Sequence, residues 1–216
     1  MKVDTGSSPD EVKAAFEAWL ADFADALATA DTGATTDLLD AGCWWRDLLA
    51  LSWDLGTYHG TDRIAGLLDE HLKPAQVSGV RVVTEFGPRF VAEEGGSGTI
   101  EGFFTFETAG AWCRGVARLR QGDDGWRAWT VMTGVEDLKG HERALGERRP
   151  TGPRHEVGAT TQRNWKDKRE AAQAYDDHEP EVVILGAGQG GLALAANLRL
   201  MGVDALILEK SARIGD

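Results

Sequence analysis

The residues with the clearest chemical potential form a glycine-rich turn near the end of the chain. Gly186, Gly188 and Gly191 have GxGxxG spacing and follow Val182–Leu185, a short apolar run typical of a buried parallel strand. In such a turn the first glycine permits a tight bend, the second lets the backbone approach a pyrophosphate, and the third lets the next helix pack on the strand. The helix N-terminus then offers free N–H groups to a phosphate. The pattern predicts a dinucleotide-binding turn.

The sequence that follows the turn supports this prediction. After a helical stretch, Gly202 marks the helix exit, Ala205–Leu208 reads as a second strand, and Glu209 follows twenty-one residues after Gly188. A carboxylate at this place can accept the hydroxyl protons of an adenosine ribose. The complete succession disfavours a βαβ unit that binds no nucleotide. An NAD-binding dehydrogenase or reductase would share these features, so the fingerprint alone leaves the dinucleotide open.

Composition and charge restrict the partners. The chain has 216 residues, of which 42% are apolar and 27% charged, which predicts a soluble globular protein of one or two modest domains. A formal net charge of -12 disfavours binding to nucleic acid or to an anionic membrane, and no apolar run is long enough to cross a bilayer. We therefore expect a cytoplasmic protein with small-molecule or protein partners. Neither the histidines nor the two cysteines, Cys43 and Cys113, have metal-ligand spacing, so we expect no metal site and two buried thiols.

The residues before the turn predict an α+β domain over 10–140. Ser8 and Glu11 form a capping box at a helix start, and after Pro74 the apolar period changes from helical spacing to two. Helices followed by a run of strands favour helices on one face of a curved antiparallel sheet that encloses a cone. Helices are predicted from Ser8 to about Thr29, around Leu38 and Leu39, and from Thr61 to about Leu72, where Pro74 would end the helix. Strands are predicted over 80–86, 89–93, 99–107, 111–120 and 126–135, in an antiparallel meander.

Composition also divides the chain. Residues 1–9 are predicted to be a disordered tail, and residues 180–216 to be a βαβ unit. Between the domains, 141–179 reads as a linker with a polar helix, and its part 141–170 carries eight basic and five acidic residues. We interpret this basic stretch as a solvated connector, the alternative being a grip on an acidic partner or a phosphate.

Aromatic residues of the first domain have two interpretations. Trp44, Trp45, Trp53 and Trp112, with Tyr58 and Phe103 to Phe106, could line a pocket inside the cone or form an ordinary core, and packing is the more common role. Arg46, Asp47 and His59 are candidates for acid–base work in such a pocket, with ion pairing or capping as the alternative. No catalytic residue is assigned.

Two stretches resemble a known family. Residues 181–216, from GAGQGG through LEK to Gly215-Asp216, are similar to the FAD-binding start of flavin-containing monooxygenases. NWKDKREAAQAY before VVILGAGQGG resembles the joint in actinobacterial and fungal members, in which a nuclear transport factor two-like, or polyketide-cyclase-like, cone domain precedes the flavin module. The segment CWWRDLLALSWDLGTYHG agrees with that domain.

The resemblance implies a cofactor site and an activity. It implies that Glu209 binds the adenosine ribose of FAD, that Lys210 flanks the adenine, and that the pyrophosphate lies on Gly186, Ala187, Gly188, Gln189, Gly190 and Gly191. The chain would be the N-terminal part of an FAD- and NADPH-dependent monooxygenase that oxygenates a small organic substrate through a C4a-(hydro)peroxyflavin. The NADPH site would lie in a missing C-terminal part, so this chain alone would be inactive.

An alternative of another class is a cone-fold module for small-ligand binding or dimerisation, with a remnant dinucleotide-binding unit. Cone-fold domains often pair through their sheets, so a homodimer is one possible assembly, and the sequence leaves the oligomeric state open. A single βαβ unit cannot bury both faces of its sheet, so the last 37 residues are expected to be poorly ordered unless they lean on the cone domain.

Overall fold

The structure is a computed structural model that describes residues 7–93, 98–122, 124–149, 164–176 and 178–215. The chain divides into two compact units, Met1–Lys139 and Gly140–Asp216, called the first and second unit below. Several predicted features lie outside the described residues: positions 1–6 of the tail, positions 94–97 and 123 of two turns, positions 150–163 and 177 of the linker, and Asp216.

The described part of the first unit contains helices on one face of a sheet. The helices are α1 (Pro9–Ala28), α2 (Thr32–Asp37) and α3 (Thr61–Ala75). The strands are β1 (Leu39–Leu48), β2 (Leu55–His59), β3 (Ser78–Val82), β4 (Arg89–Ala92), β5 (Gly98–Glu107), β6 (Ala111–Gly122) and β7 (Gly125–Leu138). Their order in the sheet is β2-β1-β7-β6-β5-β3, and β4 also pairs with β5. An α+β fold is therefore confirmed for the first unit.

The core lies between α1, α3 and one face of the sheet. The predicted capping box is present, since the Ser8 side chain accepts from the Glu11 N–H and the Glu11 carboxylate accepts from the Ser8 N–H. Phe16 and Phe23 of α1 are fully buried against the strands because they share the apolar stripe of an amphipathic helix. Strand side chains alternate between faces. The face away from α1 and α3, here the outer face, carries Trp44, Arg46, Phe103, Arg114 and Arg118 among others.

Three predictions for the helices of this unit and the tail before them are corrected by the structure. The predicted tail does not reach Pro9, because Pro9 is already helical behind the Ser8 cap. The second helix precedes Leu38, which caps it, and Leu39 begins β1. Pro74 lies inside α3, which ends at a left-handed Gln76 with φ of 52°. Because Pro74 is in the last turn, its clash with the preceding turn affects the helix only at its end.

The sheet is mixed rather than antiparallel. β1 and β2 are strands that the sequence did not predict, and β1 pairs in parallel with β7, with Trp45 opposite Val131. β4 to β7 form the predicted antiparallel succession, but β3 pairs with β5 and not with β4.

The second unit contains a βαβ arrangement at its end. β8 (Val182–Leu185), α5 (Gln189–Leu200) and β9 (Ala205–Leu208) follow one another, and β8 pairs in parallel with β9, with Ile184 opposite Ile207. Gly202 leaves α5 with a left-handed φ of 73°, as expected for a glycine at a helix exit. The polar helix α4 (Trp165–Ala174) is capped by Asn164, whose side chain accepts from the Asp167 N–H. Among the residues that the structure describes, none of the helices could span a membrane.

Candidate functional site

The glycine-rich turn joins the ends of the two parallel strands. Gly186 has φ of 102°, which only glycine adopts readily, and its N–H donates to the Leu208 carbonyl at 2.7 Å. Gly188 caps α5 with its own carbonyl, which accepts from the Leu192 N–H at 3.0 Å. A Cβ at Gly188 would meet no atom within 4 Å, so this position faces open space. The turn thus presents bare backbone at the N-terminus of a twelve-residue helix.

Gly191 has the opposite environment. A Cβ at this position would collide with the Gly186 carbonyl oxygen and would lie 3.3 Å from the Ile184 side chain. The third glycine of the motif is therefore required for the close packing of α5 against β8, which is the role that the spacing predicts.

The Glu209 carboxylate is tied to the turn by backbone hydrogen bonds. Its Oε2 accepts from the Ala187 N–H at 2.6 Å, and its Oε1 accepts from the Ser211 N–H at 2.7 Å. The N–H groups of Ser211 and Ala187 hold the pKa of the Glu209 carboxyl below its ordinary value, because they stabilise the ionised form. Each carboxylate oxygen retains a further lone pair, so both can accept from a hydroxyl group of a ligand.

These groups surround one open pocket of about 630 Å³. Its lining residues are Leu185, Gly186, Gly188, Leu208, Glu209, Lys210 and Ser211. Of the eight residues named from the sequence, the structure places four on this lining. Ala187 is buried and donates to Glu209, while Gln189, Gly190 and Gly191 form the first turn of α5.

Two members of the site were missed from the sequence. Ser211 holds the Glu209 carboxylate through its backbone, and Gly215 donates its N–H to the Ala187 carbonyl at 2.9 Å. Both contacts are made by backbone N–H groups, which nearly every residue type carries, so no residue type marks them in the sequence. The only signal is that both residues follow Glu209 closely in the chain.

The acid–base candidates of the first unit are not brought together. Asp47 is fully buried on the helix side of the sheet, where its carboxyl accepts from the N–H groups of Leu51 and Ser52 and from two hydroxyl groups. His59 lies on the outer face and stacks on Trp44, with 4.0 Å between ring centroids. Asp47 therefore supports the loop after β1, and these residues form no shared site.

The aromatic residues are divided between the core and the surface. Trp45 and Phe104 are fully buried and pack around Phe23. Trp44 and Trp53 are 46% and 58% exposed. Packing, rather than the lining of one internal pocket, is therefore the role of the buried members.

Both thiols are buried, as the sequence predicts. Burial raises the pKa of Cys43 to about 12 and that of Cys113 to about 11. Within the described ranges, no group of three or more His, Cys, Asp or Glu side chains could hold a metal ion.

Comparisons with known proteins give weak similarities that are confined to part of the chain. No protein-family model and no curated protein matches it. Among solved structures, it is similar to a proposed aromatic ring hydroxylase from Novosphingobium aromaticivorans, with 16% identity and a TM-score of 0.48 over 61% of this chain and 94% of that one. A proposed dehydratase of the nuclear transport factor two-like family from Streptomyces avermitilis has 13% identity and a TM-score of 0.45 over 60% and 99%. A ketosteroid isomerase-like protein from Erwinia carotovora atroseptica has 14% identity and a TM-score of 0.44 over 58% and 97%. The helices and strands of the first unit show its α+β fold independently of these similarities.

Proposed function

We propose that the second unit binds the adenosine diphosphate half of FAD and that the chain is part of an FAD- and NADPH-dependent monooxygenase acting on a small organic substrate. The observation that carries the proposal is the meeting of the α5 N-terminus and the Glu209 carboxylate at one open pocket. A helix N-terminus favours phosphate, and an acidic residue at the end of the second strand favours a ribose.

The residues fit this cofactor. The open space at Gly188 leaves room for a pyrophosphate against the backbone, which a side chain would fill. Leu185 and Leu208 give the pocket apolar walls, and the volume of about 630 Å³ is within the range of ligand sites. Glu209 is held in place by two backbone donors, so little ordering is needed when ribose hydroxyls bind to it.

The roles of the chain's own residues follow from this arrangement. The amides at the start of α5 would hold the pyrophosphate, Glu209 would accept from the ribose hydroxyls, and Lys210 would flank the adenine. When bound, the flavin supplies the redox chemistry, with NADPH as reductant and O2 as oxidant, while the protein supplies position and exclusion of water. The choice of FAD over NAD comes from the resemblance of the stretch from GAGQGG to LEK, since both dinucleotides suit the glycines and Glu209.

A titration of the whole chain with FAD tests the proposal. We expect saturable quenching of flavin fluorescence, abolished in Gly188→Val because the valine side chain occupies the pyrophosphate space. Gly66→Val is the matched control, since Gly66 is exposed in α3 with no atom near its Cβ position. Equal FAD affinity in Gly188→Val and in the unmodified chain would refute the site, as would the absence of saturable binding.

A second candidate function is small-ligand binding or homodimerisation by the first unit. It is favoured by the outer face, where Trp44 is 46% and Met132 is 37% exposed. A pair of first units joined through this face would reduce the exposure of both residues. Sedimentation of the whole chain at several concentrations distinguishes a dimer from a monomer, and a strictly monomeric protein would exclude dimerisation.

A further inference from the structure

The outer face of the first unit carries a fixed cluster of charges. Glu101 of β5 lies between Arg89 of β4 and Arg118 of β6, its direct neighbours in the strand register. Its Oε1 accepts from the Arg89 Nη2 at 2.6 Å, and its Oε2 accepts from the Arg118 Nε at 2.6 Å. The Glu101 side chain is 7% exposed, whereas those of Arg89 and Arg118 are 70% and 49% exposed. The buried carboxylate therefore fixes two guanidinium groups that remain open to solvent.

The charge state of this cluster is clear from its contacts. Burial by itself raises the pKa of the Glu101 carboxyl, but hydrogen bonds and charge attraction from Arg118 and Arg89 exceed that effect, so the pKa lies below its ordinary value. Glu101 is therefore ionised at neutral pH. Two guanidinium cations on one carboxylate give this cluster a net positive charge, whereas the whole chain has a formal net charge of -12.

An aromatic wall stands beside this cluster. Phe103 follows Glu101 on the same face of β5, and Phe86 meets it edge to face, with 6.3 Å between the ring centroids. Phe86 is 55% exposed. An exposed phenylalanine held against another ring presents an apolar surface on which a planar ring can stack.

Residues of the charged cluster and the two phenylalanines line one groove of about 450 Å³. Arg114 of β6 also lines the groove and lies two positions from Val116, the register partner of Phe103. It pairs with Glu136 of β7 at 3.5 Å, and both side chains are about half exposed. An ion pair this exposed contributes little, so Arg114 can turn its donors to a ligand. The lining of the groove is Phe86, Gly87, Arg89, Glu101, Phe103 and Arg114.

We propose that this outer-face groove is a binding site for a small planar aromatic carboxylate of one or two rings. The phenylalanine rings would stack on the ligand ring, and the guanidinium groups of Arg89 and Arg114 would donate to its carboxylate. Guanidinium groups match a carboxylate in geometry and charge, and the volume suits a ligand of this size. The site lies in the first unit and involves none of the residues of the FAD proposal.

The test is a calorimetric titration of the whole chain with 2-naphthoate, with 2-naphthalenemethanol as the uncharged comparison. We expect saturable binding of the carboxylate, weaker binding of the alcohol, and a loss of about tenfold in affinity in Arg114→Gln, since a charge-assisted hydrogen bond is removed. Phe86→Ala should also weaken binding. Arg63→Gln is the matched control, since Arg63 is exposed on α3, which packs on the other side of the sheet.

The outcomes separate this proposal from its competitors. Because Phe86 and Arg114 are exposed, their variants are expected to fold, and circular dichroism verifies this. The proposal is overturned if 2-naphthoate fails to saturate, as it would if a second copy of the chain covered the groove, or if Arg114→Gln and Arg63→Gln bind it equally well. Gly188→Val, which should lose FAD, should retain 2-naphthoate.

Discussion

Asp47 should contribute more to the stability of the first unit than any exposed acidic residue. Its carboxyl accepts from the Leu51 N–H at 3.1 Å, the Ser52 N–H at 2.9 Å, the Ser52 hydroxyl at 2.8 Å and the Thr133 hydroxyl at 2.7 Å. Thr133 in turn accepts from the Trp45 Nε1 at 2.9 Å. The network thus connects the loop after β1 to β7 through a buried carboxyl.

The magnitude follows from which donors can find another partner. The hydroxyl groups of Ser52 and Thr133 can rotate, but the N–H groups of Leu51 and Ser52 cannot. Asp47→Ala therefore leaves two backbone donors without a partner, and at about 1 to 3 kcal/mol for each unsatisfied buried group we expect a loss of about 3 kcal/mol in the free energy of unfolding. Asp47→Asn should cost about 1 kcal/mol, since its amide oxygen can still accept from the loop while its NH2 faces the Thr133 oxygen.

Urea denaturation followed by tryptophan fluorescence measures this difference. Seven of the eight tryptophans belong to the first unit, so the signal reports on its unfolding. Asp69→Asn, an exposed position on α3, is the control and should change stability by less than about 0.5 kcal/mol. The reasoning is refuted if Asp47→Ala costs less than about 1 kcal/mol, or if Asp47→Asn costs as much as Asp47→Ala.

Three further predictions concern the second unit, acid stability and the thiols. Gly191→Ala should abolish FAD binding because the new Cβ collides with the Gly186 carbonyl oxygen. Gly190→Ala should keep FAD binding because a Cβ at that position meets open space. Fluorescence titration compares the two variants, and equal affinities for FAD would contradict the packing argument. Because the folded-state pKa of Glu101 is lowered, its contribution to stability is present above the ordinary glutamate pKa of about 4.3 and is lost as pH falls through the folded-state pKa. Glu101→Gln should therefore flatten the acid side of a plot of unfolding free energy against pH. An unchanged plot would show that the ion pairs of Glu101 with Arg89 and Arg118 contribute nothing to stability. Cys43 and Cys113 should resist iodoacetamide at pH 8 until urea unfolds the protein, as mass spectrometry can follow; labelling of the native protein would contradict their burial.

The structural features that the sequence predicts best are local ones. The capping box at Ser8 and the succession from Val182 to Glu209 are fixed by residues that are close in the chain, and the structure contains both the box and the βαβ arrangement. The parallel pairing of β1 with β7 joins residues more than eighty positions apart, as in the pair of Trp45 and Val131. Neither periodicity nor turn residues indicate such a distant pairing, so the parallel pair and the mixed sheet could not be predicted from the sequence.

The two proposed sites also differ in whether residues close in the sequence form them. The pocket at Glu209 is assembled within one βαβ unit, and its glycines each have a steric reason that spacing reveals. The outer-face groove depends on the register of three strands, which places Arg89 and Arg118 on either side of Glu101. Arginine and glutamate on strands read as ordinary surface residues until that register is known. Because the two sites lie in different units, a variant that removes one ligand and spares the other tests each proposal without reference to the other.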